Sequence, residues 1–90
     1  SYDATYCSRR IQQKLCPGRF DDYESLLFLA QSMMGHKLPW IGIALVPDII
    51  MEKETYLHAH TSDIATMILN SHYEDRPNYE LVYSAFEALF

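Results

Sequence analysis

Clustered positive charge is the first thing this 90-residue sequence lacks. Seven Lys and Arg stand against twelve Asp and Glu, for a formal charge of −5, and Arg9-Arg10 is the only adjacent basic pair. Neutralising a phosphate backbone needs Lys and Arg gathered on one face, so a general nucleic-acid binder is excluded. Cysteine is also scarce. Cys7 and Cys16 are too few for a disulfide framework and read as reduced thiols, which suits a cytoplasmic or nuclear home. A single Cys7–Cys16 bridge stays open. The three glycines, Gly18, Gly35 and Gly42, lie far apart, so no Gly-rich phosphate loop exists and no nucleotide cofactor is expected. No apolar run approaches the roughly twenty residues that span a bilayer. Ser1-Tyr2-Asp3-Ala4 does not open like a signal peptide. The expectation is a soluble chain with no membrane partner.

What is present is a globular composition, 49% hydrophobic, in a length that makes one domain with one core. The chain is organised around residues 21–34. Asp21 reads as an N-cap, and Glu24 three positions on completes a capping box. Gly35 can take the left-handed conformation that ends a helix, and Pro39 then prevents a restart. Between these ends Leu26, Leu27, Phe28, Leu29, Ala30, Met33 and Met34 place apolar groups on nearly every side. A helix apolar all round is a buried one.

Residues 1–20 lack a clear period and read as an irregular arm. Residues 9–15 could form a short helix, closed by Cys16-Pro17-Gly18 as a turn. Residues 41–46 are β-branched enough to resemble a strand, but no second strand exists to pair with them, so burial as a loop or half-turn is expected. Pro47 suits the first turn of a helix over 47–56. Ser62 caps a helix over 62–70 that presents Ile64, Met67 and Ile68 on one face. The last helix, 78–89, has the best period: Tyr79, Val82, Tyr83, Phe86, Leu89 and Phe90 fall on one side, with Glu80, Ser84 and Glu87 opposite. There are no internal repeats. The predicted architecture is all-α, with about four helices.

Candidate chemistry is sparse. Asp21, Asp22 and Glu24 form a carboxylate cluster, but a helix N-terminus enriched in acids explains all three. His58-x-His60, with Asp63 or Glu54, could be imagined around a metal, yet the spacing matches no strong zinc pattern and no Cys is near; a solvated loop is the simpler reading and no metal is expected. Cys7 has no flanking motif of a nucleophile. The tyrosines sit at helical positions and read as core. No enzyme is expected from composition and spacing.

Three motifs in order do resemble a known family. Tyr6-Cys7-Ser8, twelve residues, then Asp21-Asp22-Tyr23-Glu24-Ser25-Leu26 is similar to the Tyr-Ala-Ser and Asp-Asp-Leu-Glu-Ser-Leu of the casein kinase 1 superfamily. Gly35-x-x-Leu38-Pro39-Trp40 resembles its Gly-x-Leu-Pro-Trp. Tyr73-Glu74-Asp75-Arg76-Pro77-Asn78-Tyr79, followed by Phe86 and Leu89, resembles its Asp-Lys-Pro-Asp-Tyr…Leu-Phe ending. The tau-tubulin kinase branch is nearest in style. The likeness covers essentially the whole chain but only the last part of a kinase domain, from the end of the activation segment through helices F to I of the C-lobe.

The resemblance implies a eukaryotic protein without catalysis. The Gly-rich loop, the phosphate-binding Lys, the catalytic Asp and Asn, and the metal-binding Asp all lie upstream in the family. Asp22 matches the F-helix aspartate that braces the catalytic loop. Asp3 stands where the family has a substrate-facing Thr, and Thr5 where it has Arg. Gly35, Pro39, Trp40, Arg76, Pro77 and Tyr79 keep structural roles beside Asp21 and Glu24. With its usual cover missing, one side of Leu26, Leu27, Leu29, Ala30 and Met33 is expected to be open, and an open apolar patch marks an interface. Ile49, Ile50 and Met51, in the family's G-helix region, form a second candidate surface. The expected function is a protein-interaction module that covers its central helix with another chain or a second copy. Two alternatives stand beside it: a kinase fragment completed by another chain, and a small acidic helical inhibitor of a basic partner.

Overall fold

A computed structural model describes residues 4–90, and within them the fold is all-α, with five helices and no strand. The additional helix, α1 (Arg9–Gln12), interrupts the predicted arm. Ser8 starts it by accepting a hydrogen bond from the Ile11 amide at 3.1 Å. Lys14, left-handed at φ 59°, carries the chain out of it. The departure from the kinase pattern at Asp3 lies outside the described residues.

The central helix, α2 (Arg19–Met33), begins two residues before Asp21. Gly18 is its N-cap, and the Asp21 carboxylate turns back to accept from the Gly18 amide. Asp21 is therefore the third residue of the helix and not its cap. Glu24, the sixth residue of the helix, lies beyond the reach of a capping box, and its carboxylate accepts from the Arg9 amide instead. The far end follows the expected design. Gly35 is left-handed at φ 86°, its amide bonds to Ser32 O and that of His36 to Gln31 O, the pattern of a Schellman motif.

Residues 36–45 form a loop that folds Leu38 and Trp40 into the core. Residues 41–46 make no strand, as expected, but they are not buried: Ile41, Leu45 and Val46 lie exposed. Only Ile43 is partly covered, because the loop turns on Gly42 at φ 89° with its other side chains outward. Helix α3 (Val46–Ala59) starts with Pro47 in its first turn and runs three residues past the predicted end, since Leu57 is one of its core anchors. Helix α4 (Asp63–Asn70) is capped by Ser62, whose Oγ accepts from the Ala65 amide. Helix α5 (Tyr79–Glu87) is capped by Asn78 through the Leu81 amide.

Helix α4 sits in the middle. It packs on α2, α3 and α5, while α1 rests against α2 and α3. The core joins Leu27 and Phe28 of α2, Leu38, Trp40, Ile49, Leu57, Ile64, Ala65, Ile68, Val82 and Ala85. Phe28, Trp40 and Tyr56 meet edge to face, with Phe28–Trp40 centroids 4.8 Å apart and Trp40–Tyr56 5.4 Å apart. Such geometry adds about 0.5–1.5 kcal/mol per pair beyond the area buried. Among the described residues no Cα of α2 approaches one of α5 within 8 Å.

Candidate functional site

Two features rise above ordinary packing: a buried polar network under the arm, and an open groove between α2 and α5.

The network begins at Lys53. It stands between Ile49 and Leu57 on the inward stripe of α3, so its ammonium is carried into the core and is fully buried. A buried charge is tolerated only when hydrogen-bonded. The Nζ donates to Ala4 O at 2.9 Å, Cys7 O at 2.8 Å and Gln12 Oε1 at 2.8 Å. It also lies 5.6 Å from the ring centroids of Phe28 and Trp40, within cation–π range. Trp40 Nε1 donates to Thr5 O at 2.7 Å. Lys53 and Trp40 thus hold the arm by its backbone oxygens.

Glu24, 2% exposed, lies inside α2's packed face and meets Arg9 from α1. The Arg9 amide donates to Oε2 at 2.6 Å, and its Nη2 to Oε1 at 3.0 Å. Arg9 Nη1 reaches Glu54 on α3. Burial works against the charge on Arg9, and the two carboxylates outweigh it, holding the guanidinium cationic. Burial alone would push Glu54 up, but Arg9, helped by His58, brings it below the usual carboxylate value. The arrangement ties three helices together through the Arg9 guanidinium. Among the described residues no three His, Cys, Asp or Glu groups converge as a cation site.

The groove is the open feature. Tyr23, Leu26 and Ala30 form one wall, and Tyr79, Val82, Tyr83, Phe86 and Phe90 the other. It encloses about 240 Å³. The helices run the same way along it: Arg19 meets the Tyr79 hydroxyl at 3.5 Å, and Tyr23 packs on Phe86 at 6.2 Å. Leu26 is 45% exposed, Tyr83 68% and Phe90 79%, while Ala30 and Val82 form the buried floor. The Tyr23 hydroxyl is pushed up by burial first, then by the nearby Tyr79 and Tyr83 hydroxyls and Asp22. Three phenols therefore line the groove.

Measured against expectation, α2 is open on one side only. Leu26, Leu29 and Met33 face outward, but Leu27 is buried in the core and Ala30 in the floor of the groove. The second candidate surface shrinks likewise. Ile49 is in the core and Ile50 half-buried, which leaves Met51 exposed. The stripe predicted on α5 is split: Val82 packs inward with Ala85, while Tyr79, Tyr83 and Phe90 stay out. Asp22 is exposed, as are Pro39 and Arg76, whereas Pro77 and Trp40 are buried. Lys53 and the Arg9–Glu24 pair were not singled out by pattern. Their signal was there: a charged residue at helical spacing between apolar ones, as Glu24 is before Leu27 and Phe28, and Lys53 between Ile49 and Leu57.

Comparison with protein families, with curated proteins and with solved structures finds no match for this chain.

Proposed function

We propose that this chain is a non-catalytic protein-binding module built on the plan of a casein kinase 1-type C-lobe, which takes another polypeptide chain into its α2–α5 groove. The groove carries the reading. An apolar trough with half-open Leu26, Tyr83 and Phe90 along its rim gains free energy when covered, at about 25 cal/mol per Å² of apolar surface removed from water. The motif order from Tyr6 to Leu89 supports the family plan. The polar network supports absence of catalysis, because its cations and carboxylates are committed to pinning the arm.

A hydrophobic dye and sedimentation test it together. The protein is expected to enhance dye fluorescence, and Leu26→Ser with Tyr83→Ser to abolish that signal at unchanged thermal stability. A monodisperse monomer that binds no dye defeats the reading.

A further inference from the structure

The groove's dimensions, its charges and its helical walls narrow what can fill it. About 240 Å³ is less than the roughly 300–1,000 Å³ of a small-molecule pocket, but it suits a row of protruding side chains. The lining residues Tyr79, Val82, Tyr83 and Phe86 form one ridge along α5, with Phe90 just past its end. At 1.5 Å per residue that ridge, from 79 to 86, is about 10 Å long, or two helical turns. Both walls are helices whose backbone groups are consumed internally, so neither offers an edge to an added strand. A facing helix with its own i, i+3, i+4, i+7 ridge is the element that interdigitates with such a wall.

Charge says which helix. From Phe20 to Lys37 the chain has no basic residue until Lys37 itself, and from Pro77 to Phe90 it has none at all. The exposed charges on the two helices that form the groove are Arg19 and Asp22 on α2 and Glu80 and Glu87 on α5. Glu80 and Glu87, which the sequence pattern set opposite the apolar stripe, stand three residues before and four after Tyr83 and so border it on the helix surface. Arg19 sits at one end only, against the Tyr79 hydroxyl. The rings of Tyr23, Tyr79 and Tyr83 add faces on which a cation can rest. An acidic rim also opposes an anionic lipid surface, which attracts basic segments.

We propose that the occupant is an amphipathic helix of a separate chain, laying about two turns against the groove, with an apolar stripe flanked by Lys or Arg. This rests on the groove being a protein-binding site. The test uses stapled peptides of about four turns, with Leu at i, i+3, i+4 and i+7 and flanks of Lys, Gln or Glu, titrated against the whole chain by fluorescence anisotropy. The Lys-flanked peptide is expected to bind about tenfold more tightly than the Glu-flanked one in low salt, the 1.4 kcal/mol that a few exposed charge pairs supply. That gap should close in high salt, and the double variant Glu80→Gln/Glu87→Gln should remove it while leaving the Gln-flanked peptide unaffected. Leu26→Ser should weaken all three. Equal binding of the Lys and Glu peptides overturns the proposal and leaves the protein-binding reading intact. So does dye binding with no peptide bound. Self-association abolished by Leu26→Ser makes a second copy the occupant and overturns it too. Failure of peptide and dye together removes both.

Discussion

Arg9 holds Glu24 twice, through its own backbone amide at 2.6 Å and through its guanidinium at 3.0 Å. One carboxylate therefore fixes both the start of α1 and the position of its first side chain. Removing it leaves a largely buried cation with only Glu54 beside it. Breaking a buried pair from one side costs about 3–5 kcal/mol. Glu24→Ala should lose that much in a urea titration, and Glu24→Gln, which keeps an acceptor for the amide, should lose less.

Lys53→Met keeps the stem's volume and deletes the ammonium that three acceptors share. Leaving buried carbonyls unpaired costs about 1–3 kcal/mol each, partly offset by the charge no longer buried. A net loss of about 1–3 kcal/mol is expected. The arm should loosen before the rest of the fold, so trypsin should cut after Arg9, Arg10 and Lys14 faster than elsewhere.

Acid should weaken the fold in two stages. Burial, and then the neighbouring His36, lower His60 below its ordinary 6.5. Its Nδ1 also accepts from the Ser62 amide at 3.3 Å, beside the Tyr56 ring. Glu54, despite burial, lies below its ordinary 4.5 through Arg9 and His58. In both cases the unfolded chain takes up the proton first as pH falls. Stability present above pH 6.5 should therefore decline below it, and decline again below 4.5. His60→Gln should flatten the upper stage and leave the lower one, as read from unfolding midpoints across pH.

Two glycines should fail for different reasons. At Gly18 the backbone is extended, but an added Cβ would lie 2.5 Å from Tyr73 O, so Gly18→Ala must push the 71–78 connection away from α2. Overpacking of this kind costs about 1–3 kcal/mol. At Gly35 space is open, and the loss comes from φ 86° alone, about 1–2 kcal/mol. Amide shifts in NMR should spread to Tyr73 in the first variant and stay local in the second.

Much of the fold was legible as local chemistry. Ser62 before α4, Pro47 in α3 and Gly35 after α2 act as their residue types suggest. The start of α2 was misplaced because two acids in a row compete for the cap, and only the Gly18 amide decides which of them turns back. The groove was half legible: α5's stripe pointed to an apolar face, but which half stays open depends on how α4 meets Val82 and Ala85. Lys53 was illegible for a sharper reason. A lysine is read as solvent-facing unless its partners are known, and here they include oxygens 41 to 49 positions away.

The anchoring of the arm bears on how this chain can diverge. Ala4, Thr5 and Cys7 are all gripped through main-chain oxygens, which every amino acid supplies. Identity at those positions is only loosely constrained by these bonds, whereas Lys53 and Trp40 must persist for the arm to keep its path. Homologues should therefore retain the two receivers more strictly than Ala4, whereas Cys7, whose sulfur also meets the Lys53 ammonium at 3.7 Å, and Ser8, which caps α1, should vary less.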